Sequence, residues 1–328
     1  MEITLCLIVK NEEQKLSACL ESFRGVFQKL IIVDTGSTDG TIEIAQQFGA
    51  EVFHFEWKNN FSDARNFALS KVKTAWTMMA DADDTLESKV QLLNELKNIP
   101  DGSIGVFLPY LYSNVRNGRG TMAFLPRIWK TNLRLTYVLP VHEYLNIPRE
   151  ILQSFVRINV PVLHHKTDAE FSKSFVRNVQ ILEDAYAHGD HHPRILFYLG
   201  HDNFYAGHLQ ESLKWFQKFL RLKTKHPHEA YKVWMLIAKI HTKNGDLAVA
   251  IKAYQKAIKM CPDFPEPHIF LGDLALTKGK FEKAVEYYND ALRCKPPKTH
   301  IFLNTHLDYA YAERKLHEAL RALEPKKT

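Results

Sequence analysis

Two stretches of the chain copy each other at a fixed distance. Gly245, Ala250, Tyr254, Ala257 and Pro262 return 34 residues later as Gly279, Ala284, Tyr288, Ala291 and Pro296. Five coincidences at one offset leave few folds open. A unit of that length is one pair of helices, which cannot bury its apolar face alone and must stack on copies of itself. Small residues let the two helices approach, the aromatic fills the gap, and proline stops the second helix of each pair. A further copy, with Leu199, Gly200, Gly207 and Phe216, is displaced by four extra residues around "KTKHPH". Residues after Thr299 fit poorly and are expected to form a capping helix.

This order of small, aromatic and proline positions resembles tetratricopeptide repeats. The expected layout is an all-α repeat domain over residues 194–328, about three repeats plus a cap, preceded by a connecting helix over 169–193. Residues 1–168 follow a different rhythm, in which short apolar runs alternate with helical patterns. "ITLCLIV", "KLIIVD", "EVFHFEW" and "AWTMMAD" read as strands, and the helices between them run from about Glu13 to Phe27, over "TIEIAQQFG" and over "SDARNFALSKV", the last with Ser62 as its N-cap. Strands and helices alternating at this spacing predict an α/β fold, a mainly parallel sheet with helices on both faces. Right-handed crossovers then bring the loops at Asn11, Asp34 and Asp81 to one edge of the sheet.

The loop after the fourth strand carries three acids, Asp81, Asp83 and Asp84, in "MMADADDTLE". Like charges are costly to gather at the end of a buried strand unless a cation sits among them. The plainer account is a solvated turn whose acids cap the helix starting near Lys89. Alternation along an extended segment would point Asp81 and Asp83 the same way.

The ordered set "CLIVKNEE", "IIVDTGSTDGT", "FSDARNFAL", "MMADADD" and "VHEYL" resembles the family-2 glycosyltransferases of GT-A fold, over roughly residues 1–165. The resemblance implies a metal-dependent, inverting transfer of a sugar from a UDP-sugar. By it, Asn11, Glu13, Asp34, Arg65 and Asp81 meet the nucleotide, and Asp83 of the D-x-D pair holds Mn²⁺ or Mg²⁺. Glu143 is the base that deprotonates the acceptor. His164, preferred to His165, completes metal or diphosphate binding. Lys166 and Thr167 follow these histidines, where relatives more often have glycine and an aromatic. Each residue also has a plain structural account: Asn11 and Glu13 as a helix start, Asp39 as a cap, Arg65 on a helix surface, Glu143 as a loop acid.

Composition narrows the rest. Hydrophobic content of 45% and charged content of 24% are ordinary for a soluble globular protein, and no apolar run reaches the roughly 20 residues of a membrane span. The start, "MEITLCLIVKNEE", reads as a first strand rather than a leader, so a cytoplasmic location is expected. Four scattered cysteines argue against a disulfide framework. Residues 1–168 hold 18 Lys/Arg against 19 Asp/Glu, and residues 169–328 hold 25 against 18. The basic second part suits an acidic partner, although its charges alternate at helical spacing as on solvated faces. No motif supports nucleic-acid binding. The repeats suit a protein or peptide acceptor, or homodimerisation. Rival readings are a scaffold with an inactive transferase-like domain and a nucleotidyltransferase, which would usually show a glycine-rich phosphate loop that "LIVKNEE" lacks.

Overall fold

Apolar runs without alternation, such as Ile3–Val9, belong to strands covered on both faces, and the computed structural model of the chain puts that strand at the heart of a sheet. The described residues are 1–112, 122–223, 225–295 and 309–324, and they divide into two compact units at Phe171/Ser172.

The first unit holds β1 (Ile3–Val9), β2 (Lys29–Asp34), β3 (Glu51–His54), β4 (Trp76–Met79), β5 (Asp84–Leu86), β6 (Gly105–Tyr112), β7 (Met122–Lys130), β10 (Phe155–Arg157) and β11 (Val162–His164) in one nine-stranded sheet. Its order is β3-β2-β1-β4-β7-β6-β11-β5, with β10 also on β6. Five pairings are parallel, and those of β7 with β4 and β6 and of β5 with β11 are antiparallel. The fold class is the expected one. A small ribbon joins β8 (Tyr137–Val138) to β9 (Tyr144–Leu145).

The period of two along β1 builds two cores. Ile3, Leu5, Leu7 and Val9 pack with Leu16, Leu20 and Phe23 of α1 (Leu16–Phe23) and Leu92 and Leu96 of α4 (Lys89–Lys97). Cys6 faces the other way, with Ile31, Val33 and Ala68 of α3 (Phe61–Lys71). Helices therefore cover both faces. Strands β1 and β2 match their sequence patterns end to end, whereas β3, β4 and α1 are shorter than theirs, because those patterns continue into turns. The remaining helix of this unit, α2, spans Thr41–Gln47. All four cysteines are free and buried.

Helix α5 runs Asp168–Ala187. Three helix pairs follow: α6 (Pro193–Tyr205) with α7 (Leu209–Arg221), α8 (Pro227–Lys243) with α9 (Leu247–Met260), and α10 (Glu266–Thr277) with α11 (Phe281–Arg293). The repeated residues do what their spacing implies. Ala250, Ala257, Ala284 and Ala291 are fully buried between helices, and Tyr254 and Tyr288 fill the gaps. Pro296 lies outside the described residues. The end of the chain contains α12 (Tyr309–Leu323), which buries Ala312 and Ala319 beside α11. No helix among the described residues is long and apolar enough to cross a membrane.

Candidate active site

Parallel pairing of β2, β1 and β4 delivers the loops after Val9, Asp34 and Met79 to one edge. The first two loops are tied together. Asn11, in the left-handed region at φ 56°, accepts from the Thr38 N–H at 2.8 Å and donates its own N–H to Ser37 Oγ at 2.9 Å. Glu13 Oε2 accepts from the Gly40 N–H at 2.9 Å, and Asp39 accepts from Glu13 and from Thr41 at the start of α2. The side chains of Asn11 and Glu13, expected to face a nucleoside, are thus engaged in holding the 36–41 loop. Asp34 is buried and accepts from the N–H groups of Gly36 and Ser37 at 3.1 and 3.0 Å. Burial pushes its carboxyl up, but these hydrogen bonds outweigh it and hold the group below its ordinary value.

The third loop is not extended. The Asp84 N–H donates to the Asp81 carbonyl at 3.0 Å, closing a turn that sends Asp81 and Asp83 to different partners. Asp81 accepts from Arg65 Nη2 at 2.6 Å and lies 3.5 Å from Arg127 Nη2. Asp83 Oδ1 lies 3.3 Å from His164 Nδ1. The acids do not cap α4, since Ser88 does so by accepting from the Gln91 N–H. The two histidines separate: His164 turns to the acids, and His165 Nε2 sits 2.6 Å from Thr85 Oγ1.

Arg65 is not a surface residue. It is 8% exposed and joins two motifs, with Nη2 on Asp81 and Nε donating to Glu143 Oε1 at 2.8 Å. One face of α3 makes this possible. Ser62 does not cap the helix, as Asn60 takes that place; its hydroxyl donates to the Leu139 carbonyl. The Phe61 N–H donates to the Pro140 carbonyl, and Asn66 pairs with both the N–H and the carbonyl of Tyr137. Spacing of three and four residues puts Ser62, Arg65 and Asn66 on one side of a helix, so the "FSDARNFAL" and "VHEYL" motifs are clamped together. Leu139 and His142 have positive φ, 77° and 53°, in the segment that ends at Glu143. A leucine in that region is costly and persists only where its surroundings impose it.

Sequence reasoning assigned nothing to Arg127 or Tyr110 and gave Asp84 only a share in the acid cluster, yet all three are buried. Arg127 reaches Asp84 at 3.3 Å, and its guanidinium lies 4.5 Å from the centre of the Tyr110 ring. The available signal is Arg127 itself, a lone charge inside the apolar run "AFLPRIW" of a covered strand, which requires a buried partner.

Four carboxylates, those of Asp81, Asp83, Asp84 and Glu143, face two guanidiniums, so the cluster has room for two more positive charges. The neighbouring groups register that deficit. Burial lowers His164, but hydrogen bonds to Asp83 and Asp84 outweigh it and push the ring up to about 9. Burial and the charge of Asp83 push Glu12 up to about 7. For Asp81, burial is outweighed by Arg65 and Arg127, and its carboxyl is held well below the usual range. Donor atoms of Asp83, Asp84 and His164 lie within 4.8 Å of one another, a hard oxygen and imidazole set that fits a divalent cation. A cavity of about 870 Å³ lined by Trp76, Trp129, Lys130 and Arg134 lies elsewhere in the unit and includes none of these acids.

Residues 4–166 match the family model described as glycosyl transferase family 2, and residues 197–265 and 235–298 match a tetratricopeptide repeat model. A TPR repeat-containing protein of Synechococcus elongatus is 26% identical over 79% of this chain and 66% of its own length. Glycosyltransferase SunS of Bacillus subtilis is 26% identical over 66% of this chain and 52% of its own. The chain thus spans about half to two thirds of the length of these relatives. The solved S. aureus TarS 1–349 in complex with UDP aligns over 89% of this chain and 90% of that one, at 14% identity and a TM-score of 0.40, too low a likeness to argue from. The first half of the chain belongs to glycosyl transferase family 2, and the same chain continues into tetratricopeptide repeats.

Proposed function

We propose that the chain transfers a sugar from a UDP-sugar to an acceptor hydroxyl with inversion at the anomeric carbon, using Mn²⁺ or Mg²⁺. The observation that carries this reading is the single cluster in which Arg65 links Asp81 to Glu143, beside the Asp83–His164 pair, in a domain of that family. Asp34, at the end of β2, accepts from the base or ribose. Asn11 and Glu13 keep the loop beside the nucleoside in shape. Asp83 and His164 would hold the cation, which when bound offsets charge on the diphosphate. Glu143 takes the proton of the acceptor hydroxyl as that oxygen bonds to the anomeric carbon and the bond to UDP breaks. One of its oxygens is fixed by Arg65, and the other is left for the proton. The repeats serve a protein or peptide acceptor, and a cytoplasmic location suits the free, buried cysteines.

The test is thermal. UDP with Mn²⁺ at about 100 Kd should stabilise the protein by roughly 2.7 kcal/mol, and EDTA should abolish most of the gain. Asp83→Asn should lose the metal-dependent part while its unliganded melting temperature stays near that of the parent. A full UDP and Mn²⁺ shift in that variant would remove Asp83 from the metal site.

A further inference from the structure

Asp84 has no role in the reading above, although its side chain is 0% exposed and lies beside His164. A carboxylate offers about four lone-pair directions, and Asp84 has a partner for each. Oδ1 accepts from the Tyr110 hydroxyl at 2.8 Å and lies 3.1 Å from His164 Nδ1. Oδ2 accepts from the Asp81 N–H at 2.9 Å and from Arg127 Nη2 at 3.3 Å. Proximity alone would make Asp84 a metal ligand. To become one it would have to drop a buried donor, at a cost of about 1–3 kcal/mol. Asp83 is in another position: its side chain is 15% exposed, and its carboxylate can turn without dismantling such a network.

The same contacts fix the proton on His164. The Tyr110 hydroxyl, the Asp81 N–H and Arg127 Nη2 are donors to Asp84 whatever the state of the ring, and beside the Arg127 guanidinium Asp84 acts as a carboxylate that only accepts. The ring nitrogen beside it, Nδ1, therefore bears hydrogen. The Tyr110 hydroxyl, 2.7 Å from that nitrogen, gives its own proton to Asp84 and presents an oxygen to the ring. Nε2 is the nitrogen left for a ligand.

We propose that Asp84, backed by Tyr110 and Arg127, is a positioning residue that holds His164 by Nδ1–H and thereby presents Nε2 to the divalent cation. The proposal rests on the reading of His164 as a cation ligand. A carboxylate that orients a ligating imidazole through its far nitrogen commonly accounts for 10- to 100-fold in metal affinity.

The experiment is a double-mutant cycle read by the electron paramagnetic resonance of unbound Mn²⁺, with UDP present. Asp84→Asn should weaken Mn²⁺ binding by about 10- to 100-fold. In a His164→Ala background the same substitution should change the affinity by less than about 2-fold, because its route to the metal is gone. Tyr110→Phe keeps the packed ring, removes the hydroxyl, and should give a smaller loss that His164→Ala likewise erases; it serves if Asp84→Asn does not fold. Additive losses would make Asp84 a ligand in its own right and overturn the proposal, as would wild-type affinity in both single variants. Should the parent protein bind no Mn²⁺ with UDP, the metal reading itself falls and takes this inference with it.

Discussion

The two units bury polar groups in different ways. In the repeats such groups meet a neighbour: Asp202 with His201, Glu229 with Arg194, Glu266 with Tyr231. Others are satisfied locally, as when Ser212 donates to the Gly200 carbonyl, and much of the remaining core is a matter of shape, with Gly200 facing Phe216 and Gly272 facing Tyr288. In the first unit, Glu143, Arg65, Asp81, Arg127, Asp84, Tyr110 and His164 form one connected set. A buried ionic network seldom repays its desolvation in stability. A chain that keeps one is holding charges in place for another purpose, whereas shape-matched helices need no further explanation than packing.

The largest expected effect tests that purpose. Glu143→Gln can still accept from Arg65 Nε, so the network and donor affinity should survive while the transfer rate falls by about 10²–10⁴-fold. Steady-state kinetics with a donor titration separate the two roles. A parallel loss of donor affinity would mean that Glu143 binds rather than reacts. Near-normal turnover would remove it as the base, and Asp84, buried and enclosed by four hydrogen-bond partners, could not replace it.

The repeat unit should respond to shape instead. A Cβ on Gly200 would stand 2.3 Å from Cδ1 of the buried Phe216 ring. Gly200→Ala gains up to about 1 kcal/mol of helix propensity, but overpacking of this kind typically costs about 1–3 kcal/mol. The variant should therefore unfold at lower temperature or denaturant concentration, with its UDP and Mn²⁺ shift unchanged. A variant as stable as the parent would show that the helix pair is loose enough to part, and the contrast between the units would weaken.

The same difference explains what could be read in advance. The 34-residue period is visible because each pair solves one packing problem with the same residues at the same places. Strands β1, β2 and β4 announce themselves by apolar runs, and their parallel order puts the three loops together. The network does not announce itself. Tyr110, Arg127 and His164 lie on three strands, at separations set by the sheet and not by any period. The turn at Asp81–Asp84 was hidden for a related reason: "DADD" fits an extended segment and a turn equally well until the Asp84 N–H finds the Asp81 carbonyl. The sequence alone gives Asn66 no task, because its partner Tyr137 is 71 residues away.

The smallest expected effect lies at the rim of the network, at Glu12. Burial and the charge of Asp83 push this carboxyl from 4.5 to about 7, against the pull of Lys15. The folded chain therefore holds the proton more tightly than the unfolded one, and the stability this confers is present at pH 4.5 and below. It is lost as pH rises through about 7, where the folded chain must keep a half-buried carboxylate ionised beside Asp83. Glu12→Gln removes the charge without changing the shape. In EDTA, it should melt about 2–4 °C above the parent at pH 8, the shift that roughly 1 kcal/mol produces in a unit of this size, and the gap should have narrowed markedly by pH 5. UDP with Mn²⁺ should shrink the gap at pH 8 as well, since a cation on Asp83 offsets the charge that Glu12 feels. Melting curves at both pH values, with and without the ligands, supply the comparison. A gap that ignores pH would place Glu12 outside the network, and one that grows with Mn²⁺ would mean that the carboxylate itself meets the metal.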